Sequence, residues 1–323
     1  MSRVNARLSD KGGASRLVFN GIVLWAAGGI YRTLLDSGQE VEAALRGRLK
    51  QEKRTGDTVV AGDRVYVESH PDGGHSIEAV AARKSEIARR APGQGSHRAK
   101  VLVANVDQVA IVIAAARPEP RVRMLDRMLV LAEANDVPAL IIINKIDLVD
   151  VNAAAALFAD YEAAGYELFF TSVPENIGLE RLHERVRGRE TVLAGASGVG
   201  KSTILNYLHP DAQARTREVS EAVMKGQHTT VGAQLIHLPE GGFIVDTPGM
   251  REVGMWEINP EGLDVCFPDL RPFLGDCRFS TCTHLHEPGC AVKAAVESRA
   301  LSRARYQSYR DLYAESVEGN REY

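Results

Sequence analysis

The spacing of apolar residues divides the chain into three regions with different periodicities. Between residues 17 and 90, short β-type runs alternate with Gly-Asp and Asp-Gly turn pairs, which predicts a small all-β barrel. An OB-type barrel fits this length, although periodicity alone does not separate it from an SH3-like barrel. Residues 101–255 alternate apolar strands with helical patterns, which predicts a parallel sheet covered by helices on both faces. Residues 256–323 are predicted to be helical, and 290–316 have the pattern of one long helix.

Two basic segments flank the predicted barrel. Residues 1–16 are expected to form a loose arm, with cations at Arg3, Arg7, Lys11 and Arg16. Residues 83–100 hold six Lys and Arg against one Glu around a Pro-Gly-Gln-Gly-Ser break, so this stretch is expected to be an exposed linker, with 91–100 as the segment between the barrel and the next domain. Either segment could neutralise RNA phosphates, as could a barrel of the OB type.

Composition narrows the class of protein. The 323 residues are 45% hydrophobic and 25% charged, which suits a globular chain of several domains. The net charge of −3 gives no overall indication of nucleic-acid binding. No apolar run has the length of a membrane span and the first residues lack a secretory signal, so we expect a cytoplasmic protein without a membrane partner. Four cysteines between residues 266 and 290 are too few for a disulfide framework.

A phosphate-binding motif lies in the stretch LAGASGVGKSTILN, residues 193–206. Gly195 is followed by four residues and then by Gly200-Lys201-Ser202, between an apolar strand and a helical pattern. In such a loop the backbone amides bind phosphate oxygens, Lys201 reaches the β- and γ-phosphates, and Ser202 is a ligand of Mg²⁺.

Further nucleotide motifs follow the phosphate-binding loop. Asp246-Thr247-Pro248-Gly249 ends a predicted strand, where Asp246 would hold Mg²⁺ through water and the Gly249 amide would meet the γ-phosphate. Between the two motifs, GQHTT at 226–230 offers Thr229 or Thr230 as a switch threonine that binds Mg²⁺.

A guanine-recognition motif, Asn144-Lys145-Ile146-Asp147, lies about fifty residues before the phosphate-binding loop. The carboxylate of Asp147 would accept from N1–H and the exocyclic amine of guanine, which adenine lacks. Asn144 would bind the base edge or tie this loop to the phosphate-binding loop, and the stem of Lys145 would lie over the base. Thr171-Ser172 ends the next strand, where a second guanine loop is expected.

The order of these motifs is that of a circularly permuted GTPase domain. Moving the last two strand–helix units to the front restores the usual order, and surface termini tolerate such rearrangement. One consequence is that the segment after Gly249 leads directly into the C-terminal region. We therefore expect the nucleotide state to be transmitted to that region.

The C-terminal region contains a metal-binding pattern, Cys277-x4-Cys282-x-His284-x5-Cys290. Three thiolates and one imidazole form a closed set typical of structural zinc. His286 is an alternative to His284, and Cys266 is expected to be a buried thiol outside the site.

Permuted motifs, an upstream barrel and a downstream Cys/His cluster together resemble the ribosome small-subunit-dependent GTPase A (RsgA) family. The resemblance covers nearly the whole chain and implies an OB-fold, a circularly permuted GTPase and a zinc domain that act in late maturation of the small ribosomal subunit. It assigns the GTP contacts to 144–147 and 195–203 and the Mg²⁺ threonine to Thr230, and the chain departs from the common pattern at TSV, 171–173, where GTPases often have alanine. The complete expected GTP-binding set is Asn144, Lys145, Ile146, Asp147, Thr171, Ser172, Gly195, Ala196, Ser197, Gly198, Val199, Gly200, Lys201, Ser202, Thr203, Asp246 and Gly249.

The group that orients the attacking water is missing from its usual position. Many GTPases have a Gln directly after the glycine of the motif that is Asp246-Thr247-Pro248-Gly249 in this chain. Here Met250 follows Gly249, which predicts slow intrinsic hydrolysis. His228 is the candidate within the chain, in agreement with the resemblance, and would act with Lys201 and Thr230. Alternatively His228 is only a mobile loop residue, and the ribosome orders the switches.

The motifs thus predict a monomeric GTPase that binds GTP, GDP, Mg²⁺ and one structural Zn²⁺. The family resemblance implies in addition that it docks on the small ribosomal subunit and its rRNA and hydrolyses GTP there. Two other functions stay open at this stage. One is a permuted GTPase of large-subunit assembly, against which the barrel and zinc unit count. The other is a nucleotide-gated RNA-binding scaffold with incidental hydrolysis, which Met250 keeps open.

Overall fold

The structure of the chain is a computed structural model with three structural units. The residues that it describes are 18–47, 49, 59–90, 99–210, 233–246 and 260–319. Among the helices within these ranges, none is long and apolar enough to cross a membrane.

The first unit is a closed five-stranded barrel. Its strands are β1 (Gly21–Ala27), β2 (Ile30–Leu35), β3 (Glu40–Leu45), β4 (Arg64–Ser69) and β5 (His75–Val80). They follow the order β1-β2-β3-β5-β4, with β1 closing antiparallel on β4 and β3 lying parallel to β5. Alternate side chains fill the interior, among them Val23, Val41 and Ile77. This Greek-key order confirms the OB-type barrel that periodicity alone left open.

A two-stranded ribbon follows the barrel where we expected an exposed linker. Strand β6 (Glu86–Arg90) pairs antiparallel with β7 (Ala99–Ala104). Ile87 and Val103 are buried in a core shared by the barrel and the α/β unit. The linker expectation was wrong for these strand residues, because the many charges between the apolar positions obscured a period-two pattern. Residues 91–98 of the expected linker lie outside the described part of the chain.

The central unit is a six-stranded sheet with helices between its strands, as predicted. Its strands are β8 (Gln108–Ala114), β9 (Ala139–Asn144), β10 (Glu167–Thr171), β11 (Glu190–Ala194), β12 (Gln234–His237) and β13 (Phe243–Asp246). Its helices are α1 (Val122–Ala134), α2 (Val151–Ala163), α3 (Leu179–Val186) and α4 (Lys201–Leu208). All of β8 is buried, as expected for a strand covered on both faces.

The strand order explains how permuted motifs can form one site. The sheet runs β10-β9-β8-β11-β13-β12, parallel except for β12, which is antiparallel to β13. The strands that carry the phosphate and guanine motifs therefore end at the same edge, whatever their order along the chain. Ligands of open α/β sheets bind at this carboxyl edge.

The C-terminal unit has its own core and contains short 3₁₀ turns at Asp264–Cys266 and Arg271–Phe273. The expectation of one long helix over 290–316 was wrong: α5 (Ala291–Glu297) and α6 (Arg303–Gly319) are separate. The break lies at Arg299, which has a left-handed φ of 65°, and the Ala300 amide donates to the Ala295 carbonyl at 2.9 Å. Ser302 then accepts from the first amides of α6. No Gly or Pro marks this break, because an arginine takes the left-handed position.

A carboxylate pair lies at the amino-terminal edge of the sheet, opposite the nucleotide motifs. The Glu190 amide donates to a carboxylate oxygen of Asp107 at 2.9 Å. Oε2 of Glu190 is buried and has no hydrogen-bond partner among the described residues. Burial and the charge of Asp107 raise the pKa of Glu190 to about 8, against the opposing charges of Arg64 and Lys84. The folded protein therefore keeps a proton that the unfolded chain releases near pH 4.5.

We expect this proton to make stability fall with rising pH. Between about pH 5 and 8 the folded state binds one more proton than the unfolded state, so the free energy of unfolding falls by at most about 1.4 kcal/mol per pH unit. Glu190→Gln removes this slope, and its stability relative to wild type should rise through the same window. Urea unfolding at several pH values measures the difference, with surface-exposed Glu180→Gln as the control. Parallel stability curves for wild type and Glu190→Gln would contradict the assignment.

Candidate functional site

The loop between β11 and α4 has a backbone that only glycine allows. Gly195, Gly198 and Gly200 all have positive φ angles, of 137°, 81° and 101°. A Cβ on Gly195 would lie 2.3 Å from the carbonyl oxygen of Val112, and one on Gly200 would lie 2.2 Å from Nδ2 of Asn144. The glycines thus permit both the turn itself and the close approach of its neighbours.

This loop and the start of α4 form a cationic cleft. Nζ of Lys201 donates to the carbonyl oxygens of Gly195 and Ala196 at 2.7 and 2.6 Å, which places the ammonium at the mouth of the loop. Ser202 is exposed in the first turn of α4. The cleft has a volume of about 340 Å³ and is lined by Lys145, Leu193, Ser197, Gly198, Gly200, Lys201, Ser202, Thr203, Leu205 and Ile244. Loop amides, a helix N-terminus, a lysine and a hydroxyl are the groups that bind phosphates and Mg²⁺.

Asn144 joins the guanine motif to the phosphate-binding loop. Its side chain is 3% exposed at the end of β9, and its Nδ2 donates to the Val199 carbonyl at 2.9 Å. Its Oδ1 accepts from Oγ1 of Thr171 at 3.1 Å. The sequence left two roles open for Asn144, binding the base edge or connecting the two loops. The described contacts are those of a residue that connects the loops.

Lys145 makes a second tie between the same loops. Its φ of 64° is left-handed, and its Nζ donates to the carbonyls of Gly198 and Arg117 at 2.6 and 2.5 Å. Sequence reasoning missed the turn at Arg117, which follows β8 at the same edge of the sheet. The prolines at 118 and 120, directly after an apolar strand, were the available signal.

Asp147 is positioned by the second guanine loop. It is exposed, and Oγ of Ser172 donates to its Oδ1 at 2.6 Å. Thr171 and Ser172 are fully buried, so their side chains orient Asn144 and Asp147 and do not face the cleft. Ile146 is buried in the core, and only its backbone belongs to the loop surface.

Of the remaining predicted site residues, Asp246 lies at the edge of the described part of the chain and the others lie outside it. Asp246 ends β13, which pairs with β11, so its backbone lies on the strand next to the phosphate-binding loop. Its side chain lies outside the described part of the structure, as do residues 211–232 and 247–259. The predictions for His228, Thr229, Thr230, Gly249 and Met250 fall within those two segments and stay predictions.

A second candidate site lies in the C-terminal unit. The ligand atoms of Cys277, Cys282, His284 and Cys290 all lie within 4.8 Å of one another. Sγ of Cys277 is 3.9 Å from Sγ of Cys290, and both lie 3.5 Å from Nδ1 of His284. Tetrahedral zinc, with bonds of about 2.3 Å to sulfur and 2.0 Å to nitrogen, requires separations of about 3.8 and 3.5 Å. The residues present therefore fit a structural zinc ion.

Groups around the four ligands also favour a metal. The Ala291 amide donates to Sγ of Cys277 at 3.3 Å, and Nε2 of His284 lies 3.3 Å from Oδ2 of Asp264, which fixes the ring. His286 is exposed and outside the cluster, so the cluster contains His284 and not this alternative. Cys266 also lies outside it; this thiol is half-buried, and burial raises its pKa to about 11.

Comparison with known proteins agrees with this architecture. The family model described as RsgA GTPase matches residues 80–256, more than half of the chain. A Gemmatimonas aurantiaca protein named small ribosomal subunit biogenesis GTPase RsgA is 49% identical over 293 residues, covering 90% of this chain and 94% of its own. A Bacteroides fragilis protein of the same name is 36% identical over 304 residues, covering 93% and 97%.

Solved structures show the same arrangement. YjeQ from Thermotoga maritima superposes with a TM-score of 0.75 at 32% identity, covering 92% of this chain and 98% of its own. YloQ, described as a circularly permuted GTPase, gives a TM-score of 0.73 at 30% identity, covering 96% and 98%. The similarity extends over nearly the whole of each chain, and this chain belongs to the RsgA family of GTPases, which are hydrolases of the P-loop type.

Proposed function

We propose that this GTPase hydrolyses GTP to GDP and phosphate with Mg²⁺ while bound to the small ribosomal subunit, during its late maturation. The observation that carries the proposal is the meeting of the phosphate and guanine motifs at one sheet edge, through contacts of Asn144 and Lys145 with the phosphate-binding loop. The names of the relatives, which specify small ribosomal subunit biogenesis, support the partner.

In this proposal each described group has a defined task. The amides of 195–203 and the ammonium of Lys201 bind the phosphates, and the exposed hydroxyl of Ser202 is a Mg²⁺ ligand. Asp147 reads the base, because a carboxylate held by Ser172 accepts from the two N–H donors of guanine. Asp246, Thr230 and Gly249 complete the Mg²⁺ and γ-phosphate contacts. Zn²⁺ is held separately by Cys277, Cys282, His284 and Cys290.

We expect Asp147→Asn to change the base preference of the site from guanine to xanthine. The amide presents a donor where guanine also presents donors, whereas xanthine offers a carbonyl oxygen there. Each mismatched polar pair costs about 1–3 kcal/mol, so GDP affinity should fall about tenfold to a hundredfold. Competition of GDP, XDP and ADP against a fluorescent nucleotide measures this, with exposed Asp150→Asn at the N-cap of α2 as control. Unchanged GDP preference would remove Asp147 from base recognition.

His228 is proposed to orient the attacking water, since Met250 has no group that can do so. His228→Ala should lower turnover on small subunits by about a hundredfold and leave GTP affinity nearly unchanged. Single-turnover hydrolysis with saturating subunits measures the effect. The matched control is His237→Ala, an exposed histidine on β12. Unchanged stimulated turnover in His228→Ala would assign the task to the ribosome instead.

The partner is tested by binding. The protein saturated with a non-hydrolysable GTP analogue should pellet with purified small subunits. The protein saturated with GDP should pellet with them much less. Binding to rRNA through the basic residues of 1–16 and 83–100 is part of the proposal, as are a monomeric state and action in the cytoplasm. Equal pelleting with large subunits would favour a role in large-subunit assembly, and nucleotide-dependent binding without turnover would favour a scaffold.

A further inference from the structure

Helix α1 begins at the nucleotide site. It follows the turn at residues 117–121, and the carbonyl of Arg117 in this turn accepts from Nζ of Lys145 at 2.5 Å. Behind the phosphate-binding loop, a small void of about 20 Å³ is lined jointly by loop residues, including Ala196 and Val199, and by α1 residues, including Met124 and Met128. The loop and the first turns of α1 thus face the same void, and Lys145 bonds both to the loop at Gly198 and to the turn that precedes α1 at Arg117.

The opposite face of α1 carries a buried carboxylate that belongs to the interface with the C-terminal unit. Asp126 is 2% exposed, and its two oxygens accept from Nη1 of Arg305 and Oγ of Ser308, both on α6. Arg305 is 3% exposed and also donates from Nε and Nη2 to the two oxygens of Asp269, each at 3.1 Å. A charged side chain buried this deeply is retained only where its hydrogen-bonding groups are paired.

Arg305 also joins the aromatic side chains of two units. Its guanidinium carbon lies 4.9 Å from the ring centroid of Tyr161 on α2 and 4.9 Å from that of Phe267 in the C-terminal unit. Partly exposed pairs surround it: Nη2 of Arg271 donates to Oε2 of Glu133 at 2.5 Å, and Arg127 on α1 pairs with Glu315 on α6. Arg305 therefore lies buried at the centre of an interface that further pairs, among them Ser308 with Asp126, also hold together.

From α6 the contacts continue to the zinc ligands. The hydroxyl of Tyr306 donates to the carbonyl of His284 at 2.6 Å, and that of Tyr309 donates to the carbonyl of Thr283 at 2.8 Å. Val130 of α1 packs in the same core as Tyr309. A series of contacts thus runs from the phosphate-binding loop through Lys145 and the turn at Arg117 to α1, and from α1 through Arg305 to the zinc loop.

We propose that helix α1 is the link between the nucleotide site and the zinc unit, and that Arg305 is the positioning residue that makes the two move as one body. The sequence suggested transmission through the segment after Gly249; the link through α1 is a separate route. Because coupling between two sites is reciprocal, ordering of the loop by nucleotide should order α6, and loosening of α6 should weaken nucleotide binding by the same factor. The inference rests on the proposed nucleotide site and is independent of the ribosomal partner.

Hydrogen exchange of the full zinc-loaded chain, with and without GDP and Mg²⁺, tests the link. In wild type we expect GDP to slow exchange at 195–208 and, by at least about fivefold, at 303–319. Protection at 195–208 alone would overturn the link while leaving the nucleotide site intact. Absence of protection at 195–208 would overturn the proposed site and with it the inference.

The role of Arg305 is tested by Arg305→Lys, which keeps the charge but not the forked pairing with Asp269. GDP should then still slow exchange at 195–208 but no longer at 303–319. The affinity for GDP should fall by the factor by which GDP slows exchange at 303–319 in wild type. The matched control is Arg310→Lys, an exposed arginine on the same helix. A variant that folds, retains zinc and keeps GDP-dependent protection of 303–319 would overturn the role of Arg305. The wild-type exchange experiment decides the link even if this variant is unstable.

Discussion

Gly200→Ala is expected to abolish nucleotide binding, with GDP affinity reduced by at least about a thousandfold. The added Cβ would lie 2.2 Å from Nδ2 of Asn144, a distance that requires one of the two residues to move. Asn144 is buried and held at both ends of its amide, by Val199 and Thr171, so the phosphate-binding loop must yield. The backbone φ of 101° adds strain for any residue with a Cβ. Titration of a fluorescent GDP analogue measures the loss.

The control separates the contact from the backbone strain. Gly188 has a φ of 70°, and a Cβ there would meet no atom of the described residues within 4 Å, its two chain neighbours aside. Gly188→Ala therefore carries the strain of about 1–2 kcal/mol without the collision, and should lower the melting temperature while retaining GDP affinity. If Gly200→Ala bound GDP as Gly188→Ala does, the tie between Asn144 and the loop would not be required for binding.

Cys290→Ser is expected to remove the metal and unfold the C-terminal unit. Structural zinc contributes about 10–16 kcal/mol of binding free energy, which exceeds what a core of this size supplies. Cys290 also accepts from the Lys293 amide at the start of α5, and a serine hydroxyl keeps that ability. The loss is therefore attributable to the metal and not to the helix cap. Zinc content by atomic emission and hydrogen exchange over 260–319 measure the two effects.

Cys266→Ser is the matched control for the metal site. Cys266 lies in the same unit, and its Sγ contacts the carbonyl of Gly262 at 3.5 Å, outside the cluster. This variant should keep one zinc ion per chain and the wild-type exchange pattern. Chelation of the wild-type protein should reproduce the Cys290→Ser pattern. A Cys290→Ser protein with full zinc content would show that the four residues do not form the metal site.

The elements that were predictable from the sequence are those with an unambiguous period or a fixed motif. The apolar run 109–114 of β8 and the glycine spacing of 195–200 were each predictable, because a run this apolar suits a strand covered on both faces and this spacing is that of a phosphate-binding loop. The zinc ligands were predictable for the same reason, since four soft ligands within fourteen residues have few other uses.

The features that were not predictable depend on tertiary contacts. The left-handed conformation of Arg299 after α5 has no signal in the sequence. In the sequence, Arg305 is indistinguishable from the exposed charged residues of the same helix. The buried pairing of Arg305 with Asp126 joins residues 179 positions apart. Likewise, the sequence indicated a second guanine loop at Thr171 and Ser172 but not the contacts of their hydroxyls with Asn144 and Asp147, which depend on the fold.

Steady-state GTP hydrolysis with and without purified small subunits, with large subunits as the comparison, tests the central claim most directly. Hydrolysis by the chain alone should be slow, because Met250 cannot orient water. Small subunits should raise the rate by at least about tenfold, by completing a site that the chain leaves incomplete. Large subunits should have little effect. A rate unchanged by small subunits, or raised equally by both, would contradict the account.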